Sequence, residues 1–257
     1  MSAAAGSLEY AHARLSARYG DRPDELAWRR IEHVRALPAL LDAVRASVLS
    51  VWMGGIGSHG TPHEIERVLR SHWRDLVAEV TAWMPEEWQP AVRWCAVLVD
   101  LPLLQHLARG GAVPPWMHDD PAYVDLAERE SAGFGTAPAD KALAPLAAAW
   151  TDPDRIGHLW LAEWRRRIPE SQRAGNATMD EPARALGAHL AAFHERTVHD
   201  GWPLRRMLQA RLSLLFRRAI VDPSAAFIFL ALAALDLERL RGEILRRVIF
   251  PGVSLAP

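Results

Sequence analysis

Residues Thr61–Pro85 read TPHEIERVLRSHWRDLVAEVTAWMP, and this stretch decides the fold class. Thr61 and Glu64 have the spacing of a capping box, in which each side chain bonds the other residue's backbone N–H at a helix start. Pro62 suits the first helical position, because its missing N–H would have no partner there. Apolar residues then recur at steps of three and four, which predicts an amphipathic α-helix ending at Pro85. They are Ile65, Val68, Leu69, His72 or Trp73, Leu76, Val77, Val80 and Met84.

The charged residues of this helix are expected to lie off the apolar stripe. Glu66 and Arg70 are four residues apart and are predicted to form an exposed pair, worth roughly 0.2–0.5 kcal/mol. The next segment, Trp88–Ala108, is apolar nearly all round, which predicts one continuous buried helix. Gly110 and Gly111 follow it and are expected to end it.

The rest of the chain also predicts helices. No sustained alternation of apolar and polar residues is present, and β-branched residues are sparse beside Ala, Leu and Arg. We therefore expect an all-α fold, a multi-helix array of similar helical units with no significant β-sheet. We divide it into an N-terminal helical unit (1–112), a divergent helical middle with loops (113–202) and C-terminal helices that pack back on the first unit (203–257). Further helices are predicted at Leu8–Tyr19, Asp24–Arg35, Pro38–Val51, Ala122–Glu130, Lys141–Trp150, Pro153–Arg167, Pro182–Val198, Pro203–Ala219 and Ser224–Val248.

Composition and charge exclude several classes of protein. Half of the 257 residues are apolar and the net charge is −1, which argues against a disordered chain and a dedicated nucleic-acid binder. The lone Cys95 excludes a disulfide framework and a cysteine-based zinc site within the chain. The first residues lack the features of a signal peptide, and the longest apolar run, Ala225–Leu235, is too short to span a membrane. We expect a soluble, intracellular protein.

No motif in the sequence requires catalysis. The glycine-rich segment Gly54–Gly60 follows a helix instead of a strand and lacks the Gly-Lys-Ser/Thr of a phosphate loop. His194 and His199 are five residues apart, so on a helix they point to opposite faces and cannot share a zinc ion. Cys95 lies in the most apolar helix and is expected to be a small buried hydrophobe. We predict no catalytic residue, no cofactor and no metal.

Two blocks of the sequence, over residues 8–112 and 203–253, carry a colinear pattern. The N-terminal block contains Tyr10-x-x-x-Arg14-Leu15, Glu66-Arg67-Val68-Leu69-Arg70, Ala91-Val92-Arg93-Trp94 and Asp100-Leu101-x-x-Leu104-Gln105-x-Leu107-x-Arg109-Gly110. The C-terminal block contains Phe216-Arg217-Arg218, Leu237-Glu238-x-Leu240-Arg241 and Phe250-x-Gly252. In order and spacing the pattern resembles the C subunit of bacterial and archaeal V/A-type ATPases, which is related to the eukaryotic V-ATPase d subunit.

This resemblance implies a non-catalytic function in ion or proton transport. The family forms a helical funnel on the cytoplasmic side of the proteolipid ring, where it is the socket for the central stalk. The implied partners are therefore the proteolipid ring and the central-stalk subunits, which would hold the chain at the cytoplasmic face of the membrane without a transmembrane segment. The positions carried over as structural or interface residues are Tyr10, Arg14, Arg67, Arg93, Asp100, Leu104, Arg109, Glu238, Arg241 and Gly252.

The chain also departs from the family pattern. Leu103 occupies a place where family members usually have Asn, so a polar contact is replaced by packing. The chain is shorter than typical members by about one helical unit, lost between Pro114 and Trp202. Among the arginine clusters, Arg165–Arg167 (Arg165, Arg166 and Arg167) is the most conspicuous candidate for docking on partner chains, because mixed arginine and carboxylate faces suit reversible contacts.

Two other functions stay open. The chain is alternatively a soluble helical enzyme or a cofactor- or metal-binding protein, in which case several of His158, His189, His194 and Trp160 converge on a pocket. It is alternatively a stand-alone assembly scaffold. The gene neighbourhood distinguishes this last function from the first, because a rotor subunit lies among the genes of other ATPase subunits.

Overall fold

The structure is a computed structural model, and it describes residues 6–57, 60–131, 142–170, 177–195 and 201–250. It is 80% helical and has no strand in these ranges, which confirms the all-α fold class. The described α-helices are α1 (Leu8–Gly20), α2 (Glu25–Glu32), α3 (Leu37–Arg45), α4 (Pro62–Trp83), α5 (Gln89–Trp94), α6 (Leu101–Ala108), α7 (Val124–Ser131), α8 (Ile156–Arg167), α9 (Ala177–Glu195), α10 (Trp202–Arg218) and α11 (Ser224–Ile249). Short 3-10 helices lie at Val48–Trp52, Glu86–Trp88, Cys95–Asp100, Pro115–Asp119, Ala144–Trp150 and Pro153–Arg155.

The predicted capping box at Thr61 is confirmed. The Glu64 backbone N–H donates to Thr61 Oγ1 at 3.2 Å, and the Thr61 backbone N–H donates to Glu64 Oε2 at 2.7 Å. Helix α4 therefore starts where the sequence predicts and continues for 22 residues to Trp83. Two backbone donors that no helix could satisfy internally are bonded by these side chains.

The single helix predicted over Trp88–Ala108 is wrong. This segment consists of α5, the 3-10 helix Cys95–Asp100 and α6 in succession. Pro102, at the start of α6, explains the break, because it cannot donate to the carbonyl four residues earlier and its ring crowds that carbonyl. The chain tightens into 3-10 geometry just before it. Gly110 ends α6 with φ of 76°, a conformation that glycine adopts without strain.

Other predicted helices differ mainly at their boundaries. The helix expected at Pro38–Val51 is α3 followed by a separate 3-10 turn, because the Ser47 side chain caps Leu49 N and starts a new segment. The segment expected as a helix from Lys141 is the 3-10 helix Ala144–Trp150, and residue 141 lies outside the described ranges. Helix α9 begins at Ala177 and includes Pro182, which the sequence pattern places at the helix start.

Among the described residues, one continuous helical stretch is long and apolar enough to cross a membrane by length and composition alone. It is Glu86–Ala108, with a mean hydropathy of 1.2 in its most apolar window, 56% of which is buried. Val92 and Leu104 within it are fully buried against the rest of the chain. This stretch therefore packs as a core element of the fold.

Helix α11 is the central element of the core. Its first ten residues, Ser224–Ala233, are all buried, and the helix contacts α1, α3, α4, α9 and α10. Trp73, Trp94 and Trp160 fill the core. The indole N–H of Trp94 donates to the Trp160 carbonyl at 3.0 Å, and that of Trp160 donates to the Trp94 carbonyl at 3.3 Å. This reciprocal pair ties α5 to α8. The division of the chain into three units stays a prediction.

Candidate functional site: a buried charge network beside a double cleft

A cleft of about 440 Å³ opens between α4, α11, α6 and the 3-10 helix Pro115–Asp119. We call it the α4–α11 cleft. Charged side chains line one wall, among them Glu66 and Arg70 of α4 and Arg241 of α11. Apolar side chains line much of the remainder, including Leu245 and Trp116. The cleft brings together residues that are more than 170 positions apart in the chain.

The predicted exposed pair of Glu66 and Arg70 is wrong, because only 7% and 8% of these residues are exposed. Helix α11 covers Glu66, and Arg241 from that helix forms an ion pair with it. The guanidinium of Arg70 lies 4.7 Å from the centre of the Trp116 ring, in a cation–π arrangement. Tertiary packing therefore encloses two charges that the helix by itself would leave in water.

Asp100 is the second acidic partner of Arg70. Arg70 forms an ion pair with the Asp100 carboxylate and donates to the Val99 carbonyl at 3.3 Å. The Tyr123 hydroxyl donates to the other Asp100 oxygen. Since Asp100 is 2% exposed, these donors replace the water that the carboxylate loses on folding. We call Glu66, Arg70, Asp100, Tyr123 and Arg241 the charge network.

The charge network is not fully satisfied. Glu66 Oε2 and Arg70 Nε are buried and lie 3.5 Å apart as an ion pair, but neither atom has a hydrogen-bond partner within the part of the chain described. Burial lowers the pKa of Arg70, with the negative charge of Glu66 opposing that shift. Such a network holds its surroundings in one arrangement, because separating any partner leaves an uncompensated buried charge.

A second chamber of about 430 Å³ adjoins the α4–α11 cleft. Val99, Pro102, Ala234 and Glu238 contribute to the walls of both spaces. Helices α6, α8, α9, α10 and α11 supply the other walls of the second chamber, which are mainly apolar. Polar groups at its edge are Gln105, Arg109, His189 and Arg205. Spaces of this size, with apolar walls and few polar groups, are typical of small-molecule sites.

His189 and Trp160 both line the second chamber, as the ligand-binding hypothesis expects. Burial, together with the nearby positive charge of Arg205, lowers the pKa of His189 to about 4. Its imidazole is therefore neutral at pH 7. His158 is exposed and does not line this chamber, and the side chain of His194 lies outside the described part of the structure.

Cys95 lines neither of these two spaces. Cys95 is buried, as predicted, and burial raises the pKa of its thiol, so it is not a thiolate nucleophile. Among the residues that the structure describes, no group of three His, Cys, Asp or Glu side chains is arranged to hold a metal ion. We call the two adjoining spaces the double cleft, and its walls combine apolar side chains with charged groups.

Four positions of the ATPase-like pattern lie at the double cleft or next to it. Asp100 and Arg241 belong to the charge network, and Glu238 lines both spaces while binding Arg205 at 2.8 Å. Arg109 forms an ion pair with Asp154 at the edge of the second chamber. These four residues come from both resembling blocks, which the tertiary structure brings together.

The other positions of the pattern lie elsewhere. Leu104 is fully buried in the core. Arg14 on α1 lies 5.0 Å from the Trp83 ring centre, and the half-buried Tyr10 is on the same helix. Arg67 and Arg93 are exposed. Gly252 lies outside the described residues.

The Arg165–Arg167 cluster is bound largely within its own helix. Glu163 binds Arg166 at 2.6 Å and Arg167 at 2.7 Å. Arg167 also lies 4.5 Å from the Trp94 ring centre, whereas Arg165 is exposed. The hydrogen bond from Arg166 is the main reason why the pKa of Glu163 is lowered. A docking function for this cluster stays a prediction.

Sequence reasoning missed most of the charge network, although part of its signal was present. At 100° per residue, Glu66 projects from α4 between Trp73 and Val77, so it belongs to the apolar face instead of the outer face. Arg70 follows one turn later on the same side. No local pattern identifies Tyr123, since it meets Asp100 only through the packing of the segment before α7.

Comparison of the chain with protein-family models, with curated proteins and with solved structures finds no match. The resemblance to the V/A-type ATPase subunit therefore stays a prediction.

Proposed function

We propose that the chain is a non-catalytic helical docking subunit, the central-rotor socket of a V/A-type rotary ATPase. The observation that carries this proposal is that Glu238 and Arg241 line the α4–α11 cleft while Asp100 binds Arg70 on the wall of the same cleft. Asp100 belongs to the N-terminal block of the resembling pattern, and the other two positions belong to the C-terminal block. Their convergence supports the view that the two blocks form one structural unit. Two unrelated helices that resemble the family by chance would have no reason to meet.

Rigidity is the property that a coupling subunit needs. Helix α11 has 26 residues, a length of about 39 Å, and it contacts α4 along the charge network. Buried charges of this kind add little net stability but disfavour alternative packings. A body of this construction transmits torque between the stalk and the proteolipid ring, at the cytoplasmic face of the membrane.

The test is purification of the tagged chain from native membranes in a mild detergent. Proteolipid and central-stalk subunits are expected to co-purify in fixed ratio. Arg165→Glu, in the candidate docking cluster, is expected to weaken their recovery. Arg155→Glu, at an exposed arginine just before α8, is the matched control and should leave recovery unchanged. Absence of both ring and stalk subunits from the wild-type preparation would contradict the proposal.

A second candidate function is the binding of a small amphiphilic molecule, and the second chamber favours it. Trp160 and His189 converge there, and the Arg205–Glu238 ion pair at 2.8 Å lies on its wall. The apolar walls suit a hydrocarbon or aromatic body, while neutral His189 and Arg205 offer polar contacts to its head group.

The chamber can be tested with anilinonaphthalene sulfonate, an apolar fluorescent anion. Ala234→Trp fills the wall that the two spaces share, and it is expected to abolish most of the probe fluorescence. Ala82→Trp, at an exposed position of α4, is the matched control and should retain it. Equal binding by the two variants would show that the probe does not occupy the chamber.

A further inference from the structure

Helix α10 exposes an apolar stripe on its outer face. Pro203, Met207, Ala210 and Leu214 follow one another at steps of four, three and four, and all are exposed. Met207 is 70% exposed and Leu214 is 46% exposed. The opposite face of the same helix packs into the core through Leu208, Leu212, Leu215 and Phe216. The helix is therefore apolar on both faces, whereas a surface helix normally turns polar side chains outward.

Arginines border this stripe on both sides. At 100° per residue, Arg206 and Arg217 project to one side of it, and Arg211 and Arg218 project to the other. All four are exposed, and α10 contains no acidic residue. Within the described ranges, none of the four forms an ion pair with a carboxylate.

One carboxylate on another helix, that of Glu25, is affected by the positive charge of Arg206. The pKa of Glu25 on α2 is lowered mainly by its hydrogen bond from Arg239, and the charge of Arg206 adds to this effect. Glu25 is thus already bound. The outer face of α10 keeps a local excess of positive charge, although the whole chain has a net charge of −1.

The apolar surface continues beyond the end of the helix. Ile220 is 70% exposed, and Val221 has φ of 50°, an unusual conformation for a β-branched residue. Ile220 is thus a further exposed apolar side chain directly after the end of α10. The apolar stripe from Pro203 to Leu214 spans about 17 Å along the helix, with cationic groups at its borders.

We propose that the outer face of α10 docks on an anionic lipid surface. An apolar stripe bordered by arginines is the pattern of a helix that lies in the membrane interface. There the stripe enters the boundary of the acyl chains while the guanidinium groups reach lipid phosphates. Arginines on both borders fit a planar surface better than the groove of a protein partner, which supplies acidic groups at particular positions. Attraction confined to one face also fixes the orientation of the chain on the membrane.

The experiment is flotation of the purified full-length chain with lipid vesicles and no other protein. Binding is expected to vesicles of phosphatidylcholine containing about one third phosphatidylglycerol, and not to phosphatidylcholine alone. Arg211→Gln with Arg218→Gln should lower the partition coefficient about 30-fold. The matched control, Arg30→Gln with Arg155→Gln, removes two exposed arginines elsewhere and should lower it less than threefold, within the range of weak screened charges.

The contribution of the apolar stripe to vesicle binding is tested with a second variant and its control. Met207→Ser with Leu214→Ser should lower the partition coefficient roughly tenfold, because less apolar area enters the interface. Leu26→Ser with Val51→Ser changes two side chains of similar exposure (56% each) and should have little effect. Circular dichroism establishes that each variant has the wild-type helix content.

Three results would overturn the lipid assignment. One is equal partition of the wild type and the Arg211/Arg218 variant, and another is equal binding to neutral and anionic vesicles. The third is binding to soluble polyglutamate without flotation on anionic vesicles, which would assign the face to an acidic protein partner. Because the vesicles contain no ATPase subunit, these outcomes are independent of the rotor proposal.

Discussion

Two groups of arginines in this protein have opposite surroundings. Arg165, Arg166 and Arg167 are adjacent in the sequence, and two of them bind Glu163 on the same helix. Arg70 and Arg241 are 171 residues apart, yet both contact Glu66 beside the α4–α11 cleft. The conspicuous cluster is mostly at the surface, while the inconspicuous pair belongs to a largely buried network.

This difference separates two kinds of electrostatic contribution. A local pair such as Glu163 with Arg166 forms wherever the helix forms, and solvent screens its more exposed partner. Arg70 exchanges water for Asp100, Glu66 and the Trp116 ring, so its loss leaves buried carboxylates without a partner. Closeness of two charges in the sequence therefore does not indicate how much their interaction contributes to the free energy of unfolding.

The largest expected effect is at Arg70. Arg70→Met keeps much of the side-chain volume but leaves Asp100 without its cation, and we expect the free energy of unfolding to fall by about 3–5 kcal/mol. Arg67→Met, three residues earlier on α4 and exposed, should change it by less than ~0.5 kcal/mol. Urea denaturation of both variants provides the measurement. Equal losses would remove the distinction between the two groups of arginines.

A smaller effect is expected at Tyr123. Tyr123→Phe deletes the hydroxyl that donates to the buried Asp100 carboxylate, which should cost about 1–3 kcal/mol in unfolding free energy. Tyr19→Phe is the control, because the Tyr19 ring stacks on Phe216 at 4.2 Å and this contact survives the change. Thermal denaturation should place the Tyr19 variant near the wild type. A Tyr123 variant as stable as that control would show that the hydroxyl is not needed by Asp100.

Glu163→Gln should have a smaller effect, because 70% of the Arg166 side chain is in solvent, although Glu163 itself is 7% exposed. We expect a loss below ~1 kcal/mol at pH 7. The folded pKa of Glu163 is lowered, so its contribution is present above the ordinary glutamate pKa of 4.5 and is lost as pH falls through the folded value. The melting temperatures of variant and wild type should therefore converge below pH 4.5. A gap that widens on acidification would contradict this assignment.

His189 provides the smallest effect at pH 7 and a distinct pH signature. Its folded pKa of about 4 is below the ordinary 6.5, so the unfolded chain binds the extra proton between these values. Acidification from pH 6.5 to 4 should therefore destabilise the wild type through this residue. His189→Gln removes that component, and the pH dependence of its melting temperature should be shallower over this interval. Parallel profiles would show that His189 titrates as if it were in water.

Sequence reasoning predicted the helices well where the deciding contacts are local. The capping box of Thr61 and Glu64 involves residues three apart, and it is present as predicted. The same reasoning failed at Trp88–Ala108, where apolar residues on all sides concealed the break that Pro102 imposes. It failed again at Glu66, because a charged residue was assigned to the outer face from its chemistry and not from its angular position.

The functional predictions also succeed for some features of the clefts and fail for others. The ligand-binding alternative expects several of His158, His189, His194 and Trp160 at one pocket, and His189 and Trp160 line the second chamber. The connection of that space to the cleft beside the charge network was not expected. Glu238 lies on α11 and lines both spaces. The sequence identifies the residues of α11 but contains no information on which other helices surround them.

Local sequence patterns are enough to predict the all-α class, the start of α4 and the burial of Trp73 and Trp94, because helix caps and apolar periodicity act within a few residues. The sequence also placed the arginines along α10, whose exposure the structure then revealed. The burial of Glu66 and Arg70, the contact of Asp100 with Tyr123 and the wall shared by the two clefts depend on how the helices pack. Desolvation and charge pairing depend on neighbours brought from distant parts of the chain, and these neighbours exist only after the helices have packed.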